Sequence, residues 1–113
     1  MVYTIIVVFS LAAIFGITLL SFVLRSKETP KAVVFMHGPV AAIGLILLIY
    51  YVATTGANLV TSIVLFVIAA LGGIILVSRD FMGKPIPKWL AVVHGLIAVS
   101  GFVYLLNYAF NIA

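Results

Sequence analysis

Four unbroken apolar runs, near residues 2 to 24, 32 to 53, 58 to 78 and 88 to 110, leave this chain few ways to fold. Each meets the roughly 20 residues that a helix needs to cross about 30 Å of hydrocarbon. With 66% of its 113 residues hydrophobic and 7% charged, the chain cannot surround a core with enough polar surface for water. The fold expected is all-α: an integral membrane four-helix bundle forming one transmembrane domain, 1–113. The first run has no basic segment before it, is too long for the apolar part of a signal peptide and shows no small-residue cleavage site before Arg25, so it is expected to stay as the first helix.

The charges orient the bundle. Arg25, Lys27 and Lys31 lie between the first two runs, and Arg79, Lys84 and Lys88 between the last two. By the excess of Lys and Arg in cytoplasmic loops, both basic loops are expected inside and both termini outside, in a bacterial inner membrane. The net charge of +4 then has the lipid bilayer, through its anionic headgroups, as its ordinary partner, and a nucleic-acid role is excluded. Cysteine is absent, which removes disulfides, iron–sulfur clusters and thiolate metal sites.

Sliding the chain against itself by 57 positions aligns it without a gap, and roughly one position in three is identical. Thr4, Phe9, Ala12, Ala13, Gly16 and Ser21 recur as Thr61, Phe66, Ala69, Ala70, Gly73 and Ser78; Lys27, Leu48 and Tyr51 recur as Lys84, Leu105 and Tyr108. The repeats are 1–57 and 58–113. Each is a helical hairpin, and because a hairpin crosses the membrane twice, both copies enter it from the same side. Two such parallel repeats are expected to pack about a pseudo-two-fold axis along the membrane normal, with the second and fourth helices on one diagonal. Thr29 and Asn58 are candidate helix caps, with Pro30 at a first helical position, and Pro39 lies inside the second helix, where it frees the carbonyl of Phe35.

The most specific shared pattern is P-K-x5-H-G-x2-A-x2-G, at Pro30–Gly44 and Pro87–Gly101. It carries the chain's two histidines, His37 and His94, each inside an apolar run, where an ionisable group is costly and marks a functional site by default. The structural alternative, an imidazole hydrogen-bonded between helices, accounts for one histidine and, through duplication, for its copy. Gly38, Gly95, Ala41 and Ala98 are retained beside the pair where many neighbours drifted. One face of the second helix reads His37, Ala41, Gly44, Leu48, and the same face of the fourth reads His94, Ala98, Gly101, Leu105. With Gly16 and Gly73 on the partner helices, this predicts a slot on the outward side of the imidazoles. Diagonal helices stand on the order of 13 Å apart, more than two imidazoles fill. A haem b (iron protoporphyrin IX) with His37 and His94 as its metal ligands is therefore expected between them, its propionates reaching Lys31, Lys88, Arg25 and Arg79, with Ser21 or Ser78 as further donors. Singly, each of these cations is explained as a lipid-facing anchor.

The layout and the two H-G-x2-A-x2-G stretches resemble small four-helix membrane b-type cytochromes, in which histidines on different transmembrane helices hold haem inside a bundle. The resemblance implies His37 and His94 as axial ligands and electron transfer, not stand-alone enzyme activity, with a quinone or membrane redox partner. With two histidines one chain supplies a single bis-histidine site, and a homodimer or a second cytochrome is expected for passage across the whole bilayer. Zinc or copper bound directly needs more ligands than this chain offers. The other reading is a haem-free small membrane transporter or assembly subunit using the histidine pair for proton or substrate handling, since imidazole titrates near neutrality. Tyr50, Tyr51, Tyr104, Asn107 and Tyr108 are read as an outer interfacial belt, with Trp89 as its inner counterpart.

Overall fold

The computed structural model describes residues 1–112 and contains four helices: α1 Val2–Leu24, α2 Lys31–Thr55, α3 Val60–Phe81 and α4 Lys88–Phe110. All four are long and apolar enough to cross a membrane, and the longest dimension of the bundle, 43 Å, matches a bilayer with its headgroups. The chain is an integral membrane four-helix bundle. Its outer surface is apolar, with Val7, Ile17, Ile46, Ile74 and Leu96 all exposed. A chain folded for water would hide these side chains; here they form the surface that lipid covers.

α1 packs along α2 and α4, and α3 packs along α4 and α2, which puts α1 and α3 on one diagonal and α2 and α4 on the other. Side chains meet across both diagonals. The rings of Phe9 and Phe66 stack with centroids 4.0 Å apart and planes within 3°, and Tyr51 meets Tyr108 edge to face, their hydroxyl oxygens 3.4 Å apart. Each of these pairs joins a residue to its copy 57 positions later, as a two-fold arrangement of parallel hairpins requires.

The large, fully or nearly buried side chains are Ile5, Phe9, Leu48, Leu59, Phe66 and Leu105. Their positions on the four helices place all of them between the histidines and the tyrosine end. The half of the bundle between the histidines and the basic loops buries only Ala91 and Thr29 to the same degree among the described residues. Burial is therefore uneven along the axis, with the large core side chains gathered at the tyrosine end.

The two basic loops are built alike. Each of α1 and α3 ends in a turn with a residue of positive φ, Ser26 at 56° and Gly83 at 69°, closed by bonds from Lys27 N to Phe22 O and from Lys84 N to Arg79 O, both 2.9 Å. This is the Schellman closure, which satisfies carbonyls that a helix end leaves open.

The expected caps are not used. Thr29 Oγ1 donates to Asp80 Oδ2 at 2.6 Å and accepts from Lys31 Nζ, leaving Pro30 as the residue before α2. Asn58 is exposed, and α3 begins after Leu59 without a side-chain cap. The Thr29 hydroxyl gives its hydrogen to a carboxylate 51 residues away, and its oxygen accepts from the Lys31 ammonium, a charge-assisted bond, where a cap would accept from a backbone amide of α2. α2 continues as helix through Pro39.

Candidate functional site

His37 lies in the second turn of α2 and His94 at the same place in α4, and the bundle turns both imidazoles inward. Their centroids are 6.2 Å apart with the planes at 84°. His37 Nδ1 is 2.8 Å from the carbonyl oxygen of Ala12 on α1, and His94 Nδ1 is 2.7 Å from that of Ala69 on α3. A carbonyl only accepts, so in each ring Nδ1 carries a proton and donates. In the neutral ring Nε2 is then left with its lone pair. A backbone carbonyl orienting the ring through its other nitrogen is the support that metal-bound histidines use.

Glycine makes that approach possible. A methyl group on Gly16 would lie 2.9 Å from His37 Cε1, and one on Gly73 would lie 3.1 Å from His94 Cε1. Each imidazole rests on the partner helix of its own hairpin at a place where nothing larger than hydrogen fits unless the ring moves. Gly38 and Gly95 differ: a Cβ on either meets nothing within 4 Å, so their retention beside the histidines has no packing reason within the chain.

The slot expected next to Ala41, Gly44, Ala98 and Gly101 is closed. A methyl on Gly44 would lie 3.0 Å from the Phe9 ring, and one on Gly101 3.3 Å from the Phe66 ring. The two stacked phenyl rings occupy the room that those glycines leave, while Ala41 and Ala98 are half-buried. The sequence carried a signal for this: Phe9 and Phe66 recur at the repeat spacing and lie seven residues, two turns, before Gly16 and Gly73, on the same helix face. What reasoning from the histidine helices missed is that a phenyl ring from the partner helix would reach across.

Of the cations proposed as propionate partners, Lys31 is engaged. Its Nζ lies 2.8 Å from Asp80 Oδ1, and Asp80 is largely buried. Arg25 bonds to Ser21 through the carbonyl and, more weakly, the hydroxyl, and its guanidinium lies over the Phe22 ring. Arg79 donates to the Pro85 carbonyl at 2.8 Å. Ser21 and Ser78 donate to the Thr18 and Ile74 carbonyls of their own helices. Lys88 makes no ion pair among the described residues and lines an open recess of about 760 Å³ between the two basic loops.

No three His, Cys, Asp or Glu side chains group as a metal site among the described residues. A metal held here by the protein has the two imidazoles and must bring its remaining ligands with it. No family model, curated protein or solved structure matches the chain.

Proposed function

We propose that this chain is a small membrane b-type cytochrome that binds one haem b between His37 and His94 and passes single electrons to and from a quinone or another membrane redox partner. The observation that carries the reading is the histidine pair itself, two rings 6.2 Å apart, each tied by Nδ1 to a backbone carbonyl. Two nitrogens about 2 Å from one ion, each with its ring centre about 1.1 Å behind it, put the centroids about 6 Å apart. The 6.2 Å between the centroids supports the reading by matching that figure. A porphyrin would bring its own nitrogen donors, which suits a site where the protein offers two imidazoles and, among the described residues, no third ligand.

Packing supports a place for the flat ring different from the one the sequence suggested. The phenyl stack closes the tyrosine side, whereas no large side chain is fully buried between the histidines and the basic end. His37 and His94 would hold the iron, Gly16 and Gly73 would let the two imidazoles seat against α1 and α3, and the carboxylate edge would face the end where Lys88 stands. Lys88 opens α4 six residues before His94, a rise of about 9 Å. When bound, haem supplies a one-electron couple. His37 and His94 would both be used in holding the haem, which suits electron transfer rather than substrate binding. The protein's part is to fix both rings in one tautomer, to exclude water with the phenyl stack and to set positive charge at the carboxylate edge.

The six Lys and Arg residues stand in or beside the two loops at one end of the bundle, which supports placing that end inside a bacterial inner membrane with both termini outside.

Absorption spectra test the reading. Protein purified from haem-replete cells is expected to be red, with the reduced bands of a six-coordinate b-type haem, and His37→Ala or His94→Ala is expected to abolish them. A colourless protein that takes up no haemin would overturn it and leave the transporter reading, in which the same imidazoles handle protons or a substrate.

A further inference from the structure

The recess at the basic end is a separate feature from the histidine pair. It is lined by Lys27, Lys31, Lys84 and Lys88, which are two pairs related by the repeat: Lys27 with Lys84 in the loops and Lys31 with Lys88 at the first turns of α2 and α4. Duplication thus sets four ammonium groups about the pseudo-two-fold axis. Asp80 has no acidic counterpart, since the equivalent residue is Val23, and it neutralises Lys31 alone. Lys27, Lys84 and Lys88 form no ion pair among the described residues, and Glu28, also on the lining, forms none with them. Three cations against one carboxylate leave the recess with uncompensated positive charge.

The position of two of these lysines is fixed by the backbone. Lys27 N and Lys84 N close the turns that end α1 and α3, so both side chains start from ordered, equivalent points. Val23, Phe81, Pro85 and Ile86 give the same recess an apolar part. It lies at the end of a 43 Å bundle, at the depth of the headgroup layer.

We propose that this recess binds the phosphate group of an anionic phospholipid, held by Lys27, Lys84 and Lys88, with its acyl chains leaving along the apolar surface of the bundle. The bilayer is the source because the recess joins positive charge to apolar walls at the membrane surface, a combination that a free phosphate does not use. Neither histidine lines the recess, and Lys27 and Lys84 take no part in the haem site proposed above; Lys88 is shared with it, so the variants that test the lipid site leave Lys88 in place.

The test is a binding titration on the purified full chain in neutral detergent, using short-chain phosphatidylglycerol, phosphatidylcholine and inorganic phosphate as probes. Saturable binding of about one phosphatidylglycerol per chain is expected, at least tenfold tighter than phosphatidylcholine or inorganic phosphate. Lys27→Gln with Lys84→Gln is expected to weaken it about tenfold. Lys84→Gln alone is expected to weaken it several-fold, whereas Arg25→Gln, which removes the same charge outside the recess, changes it less than twofold. Equal binding of phosphatidylcholine, inorganic phosphate binding as tightly as the lipid, or equal losses in Lys84→Gln and Arg25→Gln would each overturn the proposal. Circular dichroism on each variant establishes that the helices are intact.

Discussion

At the scale of single residues, the glycines separate by what stands opposite them. Gly16→Ala forces the His37 ring to move, because its new methyl would sit 2.9 Å from Cε1; Gly73→Ala at 3.1 Å asks for less. On the proposed haem site, both are expected to weaken retention of the cofactor, Gly16→Ala more, as read from the haem-to-protein ratio after purification. Gly38→Ala and Gly95→Ala meet no neighbour and are expected to leave that ratio unchanged. Their helices gain up to about 1 kcal/mol from the better helix former. Ser26 offers the opposite case, a side chain at φ 56° where the other repeat has Gly83. The left-handed region costs an L-residue on the order of 1 kcal/mol, so Ser26→Gly is expected to stabilise the bundle by about that amount in an unfolding titration. The histidines themselves were legible from the chain, since two imidazoles inside apolar runs have few reasons to be there. Their carbonyl partners were not, because every residue has a carbonyl and only the packing of α1 on α2 selects that of Ala12.

At the scale of helices, the limits of all four were readable within three residues from the apolar runs, because a span in lipid must satisfy every backbone group internally and admits no other element. Which ring fills which gap was not readable, because that depends on the depth at which neighbouring helices cross. The Phe9–Phe66 stack is the main brace between α1 and α3, resting on Gly44 and Gly101. Phe9→Ala removes one ring from it and leaves a cavity, an expected loss of about 3 kcal/mol measured by unfolding in mixed micelles. Ser62 adds a buried bond of 2.7 Å from its hydroxyl to the Gly101 carbonyl, for which Ile5 has no equivalent. A bond of this kind contributes about 0.6 kcal/mol in a membrane, so Ser62→Ala is expected to cost much less than Phe9→Ala in the same assay.

At the scale of the whole molecule, the even number of crossings in each hairpin settles which ends lie together. Cysteines are absent, so single replacements report position without background. Ser26→Cys and Gly83→Cys are expected to react with a membrane-impermeant maleimide from one side of sealed vesicles, and Asn58→Cys only from the other. The diagonal placement of α2 and α4 is legible in the repeat, because symmetry dictates it. The departures from symmetry, above all the bond of Thr29 and Lys31 to Asp80, could not be seen that way: they pair residues with no shared spacing.

Phe9 with Phe66, His37 with His94 and Tyr51 with Tyr108 are each a residue facing its own counterpart across the axis. A single two-helix ancestor associating with an identical molecule would form the same three meetings, since an isologous dimer also joins each axial residue to itself. Cutting the chain between Ala57 and Asn58 should therefore yield halves that recombine when co-produced, and the surviving covalent link would serve chiefly to keep two diverging partners matched.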